Sequence, residues 1–253
     1  MKVLITGGSS GIGRSLAFEF AKLNYDLVLV SRDIDKLNEV KEELIKKYNV
    51  NCEIFAINLA NKENTIELYN KTKNIDILVN NAGFGDYGKF YETSLEKEIS
   101  MIHTNIISLH ILTKLYLKDM KKKNSGKILN VASIAGFLPG PLMATYYATK
   151  NYVVKLSEGI KEELKKDKSN VQISILCPGP VKTNFNNVAN VKFEIKSLSS
   201  NYVASYAVKK LLKGKFYILP GFDIKVLKIL SKIVPTKILS HFTYYTQKRK
   251  SDK

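Results

Sequence analysis

A chain of 253 residues, 45% hydrophobic and 25% charged, has a globular composition and is long enough for one large core, which excludes a disordered, fibrous or disulfide-stapled design. The formal charge is +17, and twelve Lys or Arg against two acids fall from Asn201 onward. That bias suits anionic membranes, nucleic acid or acidic partners, or is plain solvation. Cys52 and Cys177 are the only cysteines, far apart and without metal spacing; they read as free thiols of a cytoplasmic, reducing setting. No apolar run of about 18 residues is present to span a membrane, and the opening MKVLITGG reads as a strand and turn rather than a signal region.

In chain order, short apolar runs alternate with helical patterns. Residues 3–5 read as a strand and 12–23 as a helix, with Ile12, Leu16, Phe20 and Leu23 at helical spacing. Residues 27–30 form a second apolar run. Residues 33–47 form a charged helix with Leu37, Val40 and Leu44 on one face. Strands follow at 54–57 and 75–79, with a helix at 62–73 between them. Residues 95–121 read as one long helix, 127–131 as a strand and 144–165 as another long helix. Strands at 171–176 and 216–219 flank a helix near 202–212. Runs apolar throughout are buried on both faces. Repeated strand–helix alternation predicts an α/β, Rossmann-type, doubly wound parallel sheet of about seven strands, with ligands at the strands' carboxyl ends. One catalytic domain is expected over 1–221, with a basic helical C-terminal extension over 222–253.

The turn Thr6-Gly7-Gly8-Ser9-Ser10-Gly11-Ile12-Gly13 lies between the first strand and the first helix. Glycines there let backbone approach a pyrophosphate, and the helix N-terminus favours the anion. Gly7, Ser9, Ser10, Gly11, Ile12 and Gly13 are therefore expected to bind a dinucleotide. Past the second strand comes Ser31-Arg32-Asp33. A guanidinium suits a 2′-phosphate, so NADP(H) is the expected cofactor and NAD(H) the alternative. Asp33 stands one place late for a ribose ligand and instead suits a helix cap.

Tyr146 and Lys150 lie one turn apart on one helix face. Ser133 closes the preceding strand, at the expected ligand edge. A phenol is a weak base until a nearby cation favours its phenolate, and a serine hydroxyl can hold a substrate oxygen. These parts suit proton transfer coupled to hydride transfer.

With these residues assembled, the chain resembles the short-chain dehydrogenase/reductase family over roughly residues 1–219. The motifs are TGGSSGIG at 6–13, NNAG at 80–83, Asn105, Ser133, Tyr146-x-x-x-Lys150 and PGPVKT at 178–183. The resemblance implies an enzyme in which Tyr146 is the general acid or base. Lys150 lowers its pKa and holds the nicotinamide ribose. Ser133 binds the substrate oxygen, and Asn105 supports a water beside Lys150. It also implies cofactor contacts from Asn81, Ala82 and Gly83, and from Pro178, Gly179, Val181 and Thr183. Where the family often has aspartate beside the adenine, this chain has Asn58-Leu59, and both are expected to contact it. Tyr147 lacks the offset to Lys150 and reads as packing. No metal is expected, since His103, His110 and His241 form no cluster.

The expected substrate is a small-molecule carbonyl or alcohol of apolar character. Residues 184–200 would supply its pocket, with Phe185, Val188, Val191 and Phe193 either lining it or forming a lid's own core. The extension has two apolar-basic stretches around Pro235. They read as packing or lid, as a contact in a homodimer or homotetramer, or as a peripheral membrane surface. A cofactor-sensing regulator on the same fold is the competing function; an intact proton relay argues against it. No motif supports nucleic-acid binding.

Overall fold

In the computed structural model of the protein, the described residues are 1–185, 189 and 197–248. The chain alternates β1 (Lys2–Thr6), α1 (Gly11–Ala21), β2 (Asp26–Ser31), α2 (Ile34–Tyr48), β3 (Cys52–Ala56), α3 (Lys62–Lys71) and β4 (Ile77–Asn80). After α4 (Leu95–Ile102) come α5 (Leu109–Lys123), β5 (Lys127–Val131), α6 (Ala144–Lys166) and β6 (Gln172–Leu176). The two-residue strands β7 (Val181–Lys182) and β8 (Leu198–Ser199) pair with each other. Then follow α7 (Ser200–Leu212), β9 (Tyr217–Ile218), α8 (Phe222–Ile233) and α9 (Thr236–Lys248).

Seven strands form one sheet in the order β3-β2-β1-β4-β5-β6-β9, and every neighbouring pair is parallel. The apolar strand runs have the expected cause. Val3 and Ile5 of β1 pack into one core, while Leu4 packs into the other. Leu27 and Leu29 of β2 divide from Val28 and Val30 in the same way. Successive side chains of a strand point to opposite faces, so a strand covered on both sides must be apolar at every step. One face receives Leu16 and Phe20 of α1, Leu37, Val40 and Leu44 of α2, and Val203, Ala207 and Leu211 of α7. The other receives Leu68, Leu112, Tyr116 and Leu164 from α3, α5 and α6.

Chain order reverses at the centre of the sheet, between β1 and β4, and the resulting crevice at the strands' carboxyl ends is where ligands bind in such folds. Side-chain amides and hydroxyls brace that edge. Asn80 Nδ2, buried at the end of β4, donates to Thr113 Oγ1 and Asn130 Oδ1, both at 2.9 Å. Thr6 Oγ1 accepts from the backbone N–H groups of Asn81 (2.9 Å) and Ala82 (3.0 Å).

Two differences from the sequence reading have clear origins. The long helix expected over 95–121 is two α-helices joined by a π-helical turn at His103–Ser108. Its extra residue brings Asn105 and Ser108 inward; π-turns of this kind concentrate at functional sites. Strand β3 runs over Cys52–Ala56 because its partner β2 sets the register, pairing Leu27 with Cys52 and Ser31 with Ala56. Asp33 caps α2 as expected, accepting from Lys36 N.

Candidate active site

Strand β1 ends at Thr6, and Gly7 turns the chain with φ +68°. A side chain there would be strained and would press on Asn81 Nδ2. That amide donates to the carbonyls of Thr6 (2.9 Å) and Gly7 (3.2 Å), tying the turn to the end of β4. Gly13 serves a different end from the one expected. It does not line the cleft; a Cβ there would lie 2.1 Å from the Gly7 carbonyl oxygen. Its role is to let α1 pack against the turn. Ser10 precedes α1 in an extended conformation without a side-chain capping bond, which leaves the first N–H groups of the helix without that partner, and Ser10, Gly11 and Ile12 line the crevice.

The crevice is a cleft of about 380 Å³. Gly7, Ser9, Ser10, Gly11 and Ile12 line one end, with Arg32, Asn58 and Leu59. Ser9 Oγ donates to Ser31 Oγ at 2.8 Å, which joins the turn to the end of β2. Arg32 is exposed at the rim. Asn81, Ala82 and Gly83 line the middle. Pro178, Gly179, Val181 and Thr183 form the opposite wall, and Ser133, Tyr146 and Lys150 the far end. Sequence motifs from Gly7 to Thr183 thus converge on one cavity because the sheet gathers them at its carboxyl edge.

Ser133 follows β5 in extended backbone and accepts from Ala135 N. Its hydroxyl lies in the same end of the cleft as the Tyr146 phenol and favours the phenolate. Lys150 is buried and donates from Nζ to the Val131 carbonyl at 3.0 Å. The Nζ lies 5.9 Å from the centre of the Tyr146 ring. Burial dominates both groups. It pushes the Tyr146 phenol well above its ordinary value, against the lowering effect of the Ser133 hydroxyl. It lowers Lys150 to about 8, since a cation is costly to desolvate. The lowered Tyr146 pKa expected from Lys150 is therefore not what the protein alone produces; Tyr146 is a neutral phenol, held protonated at neutral pH.

Asn105 lies behind the cleft wall rather than on it. Its Nδ2 donates to Phe84 O (2.9 Å) and Thr149 Oγ1 (3.0 Å), and its Oδ1 accepts from Phe84 N (3.1 Å). A Cβ on Gly83 would sit 2.8 Å from Asn105 Oδ1 and 3.4 Å from Lys150 Nζ, so this glycine lets the two side chains approach the same loop.

Several lining residues escaped the sequence reading. Tyr147 is more than packing: it lines the cleft, stands edge-on to Tyr146 at 6.0 Å, and its hydroxyl accepts from Gln247 Nε2. Gln247, buried near the end of α9, itself lines the cleft. Phe84, Met143 and Phe185 add apolar wall. Of the residues proposed for a substrate pocket, Phe185 is thus placed; Val188, Val191 and Phe193 lie outside the described residues. Cys177 is a core residue whose thiol burial pushes up to about 12. No grouping of His, Cys, Asp and Glu suited to a metal occurs among the described residues.

A cleft at the switch point of a seven-stranded parallel sheet, with serine, tyrosine and lysine at one end and a glycine turn at the other, defines a nucleotide-dependent dehydrogenase fold. The short chain dehydrogenase family model matches residues 1–192, and the chain belongs to that family. It is 35% identical over 175 residues to a very-long-chain 3-oxoacyl-CoA reductase of Rattus norvegicus, covering 64% of this chain and 54% of the relative. The chain thus spans about half the length of that curated relative. It is 32% identical over 245 residues to estradiol 17-beta-dehydrogenase 11 of Mus musculus, covering 94% of this chain and 80% of the relative. Among solved structures, a short-chain dehydrogenase from Sphingobium yanoikuyae in complex with NADPH superimposes with a TM-score of 0.83. It shares 25% identity and covers 100% of this chain and 96% of the other.

Proposed function

We propose that the protein is an NADPH-dependent oxidoreductase that reduces the carbonyl of an apolar substrate, with Tyr146 as the proton donor. The observation that carries this reading is the junction of Ser133, Tyr146 and Lys150 with the glycine turn in one cleft. The cleft fits a dinucleotide on steric grounds. Gly7 and Gly11 line it without side chains to block a phosphate, the start of α1 lies beside them, and Arg32 stands exposed at its rim. The phosphates would sit on the turn, a 2′-phosphate against Arg32, and the nicotinamide between Thr183 and Tyr146. When bound, that cofactor supplies a hydride to the carbonyl carbon.

The side chains provide the rest. Ser133 holds the substrate oxygen through its hydroxyl. Tyr146, a phenol whose pKa burial raises still further, carries at neutral pH the proton that this oxygen needs. Lys150 as a cation stabilises the phenolate left behind, and Asn105 positions the Phe84 loop beside it. Phe84, Met143, Tyr147 and Phe185 favour an apolar substrate body. Relatives named for a very-long-chain 3-oxoacyl-CoA and for estradiol fit that class. The two buried, unpaired thiols suit a reducing, cytoplasmic setting.

A parallel titration with NADPH and NADH, followed by nicotinamide fluorescence, tests the cofactor reading. Tighter NADPH binding, reduced by Arg32→Ala, is expected. Equal or tighter NADH binding would overturn the role of Arg32 and favour an alcohol dehydrogenase working in the oxidative direction.

A further inference from the structure

The two C-terminal helices are divided lengthwise. Toward the protein, α8 offers Ile224, buried against Gly179 at the cleft wall, and Lys228, whose ammonium sits 3.0 Å from the centre of the Tyr217 ring. Toward solvent it shows Phe222, Val226, Ile229, Leu230 and Ile233. At 3.6 residues per turn these five fall within an arc of about 100°. Phe222, Ile229 and Ile233 are 79%, 60% and 72% exposed. Lys225 and Lys232 run along one border of the stripe. On α9 the buried side carries Leu239, Thr243 and Gln247, and the outer side Ile238, Phe242 and Tyr245, with Lys237 beside them.

Packing against the protein explains the inner faces and leaves the outer ones without a partner. Burying so many large apolar groups in water-free surroundings would be worth far more than leaving them hydrated. We propose that the outer faces of α8 and α9 are a docking surface for an anionic lipid bilayer, on which both helices lie.

Charge selects this occupant. Residues 222–248 hold five lysines and a single acid, Asp223. Against a second copy of the same face, lysine would meet lysine. Nucleic acid would accept the lysines but has no place for Phe222, Ile229, Ile233 and Phe242. An anionic bilayer accepts both, taking the apolar stripe to the acyl boundary and the ammonium groups at the headgroups. No described helix is long and apolar enough to cross a membrane, so this is surface attachment. Because Gln247 on the inner side of α9 lines the cleft, the docked face would lie about one helix diameter, roughly 10 Å, from it.

The test is flotation of the full chain with vesicles of phosphatidylcholine alone and of phosphatidylcholine with phosphatidylserine, at low and high salt. Binding is expected to the anionic vesicles at low salt and to weaken as salt rises. Lys225→Glu and Lys232→Glu should each cost about fivefold or more in partitioning. The pair Ile229→Gln and Phe242→Gln should cost more than about tenfold, with unchanged circular dichroism and unchanged NADPH affinity. These readouts do not depend on turnover, so failure of docking and failure of the enzymatic reading are distinguishable. Absence of vesicle binding would overturn the proposal. So would equal binding to neutral vesicles, or a dimer in light scattering that the Ile229→Gln/Phe242→Gln variant splits, which would assign the face to a second copy.

Discussion

Lys150 links the chemistry of the site to the stability of the fold, and Lys150→Met separates the two. Its ammonium is buried, and its pKa falls from 10.5 to about 8. The unfolded chain holds this proton up to the ordinary lysine value, whereas the folded chain releases it near 8. Between those limits the unfolded state binds more protons, so stability rises with pH through the window. The shift amounts to about 3 kcal/mol of folding free energy, withheld below that window and recovered above it. Methionine fills similar space without a charge. It also leaves the Val131 carbonyl, now 3.0 Å from Nζ, without its donor, at a cost of about 1 kcal/mol. The expected result at neutral pH is a variant more stable than the parent by about 2 kcal/mol, and inactive. Urea unfolding of the nucleotide-free protein across the window should show the parent gaining on the variant as pH rises; other titrating groups cancel in the difference. Parallel curves, or a variant destabilised at neutral pH, would refute the claim that Lys150 is held as a costly buried cation.

Other perturbations follow from the same geometry. Gly13→Val should displace the Gly7 carbonyl and lower NADPH affinity by more than about tenfold in an equilibrium titration, with a loss of about 1–3 kcal/mol in stability. Arg32→Ala should weaken NADPH binding by about tenfold or more while changing NADH binding little, as a lost charge-assisted contact would. Asn80→Ala removes the bonds to Thr113 and Asn130 and should lower unfolding free energy by about 1–3 kcal/mol in denaturant melts. Tyr147→Phe breaks the bond to Gln247 and should alter KM for an apolar ketone more than kcat.

Much of this architecture is legible in the sequence because few alternatives satisfy it. Runs such as Leu27–Val30, apolar at every step, demand cover on both faces, and repeated crossovers then demand a parallel sheet. The glycine turn and the Tyr146–Lys150 pair are legible because local spacing alone sets their geometry. Gln247 is not, since it reaches the cleft only through the docking of α9, far along the chain from Tyr147, and no local pattern encodes that contact. The π-turn at His103–Ser108 is equally hidden: apolar residues run through it at Ile102, Ile106, Ile107 and Leu109, so no break in composition marks the extra residue. Tyr146 shows a third limit. Its neighbour Lys150 is readable from the sequence, but the burial that raises the phenol's pKa is a property of the whole packed site.

The most direct measurement is turnover of an apolar ketone by Tyr146→Phe, alongside NADPH binding by nicotinamide fluorescence. Phenylalanine keeps the ring and removes only the donated proton. NADPH affinity within about threefold of the parent, with turnover reduced by about a hundredfold or more, is the result expected of a general acid. Turnover close to that of the parent would contradict the assignment of Tyr146 as the proton donor.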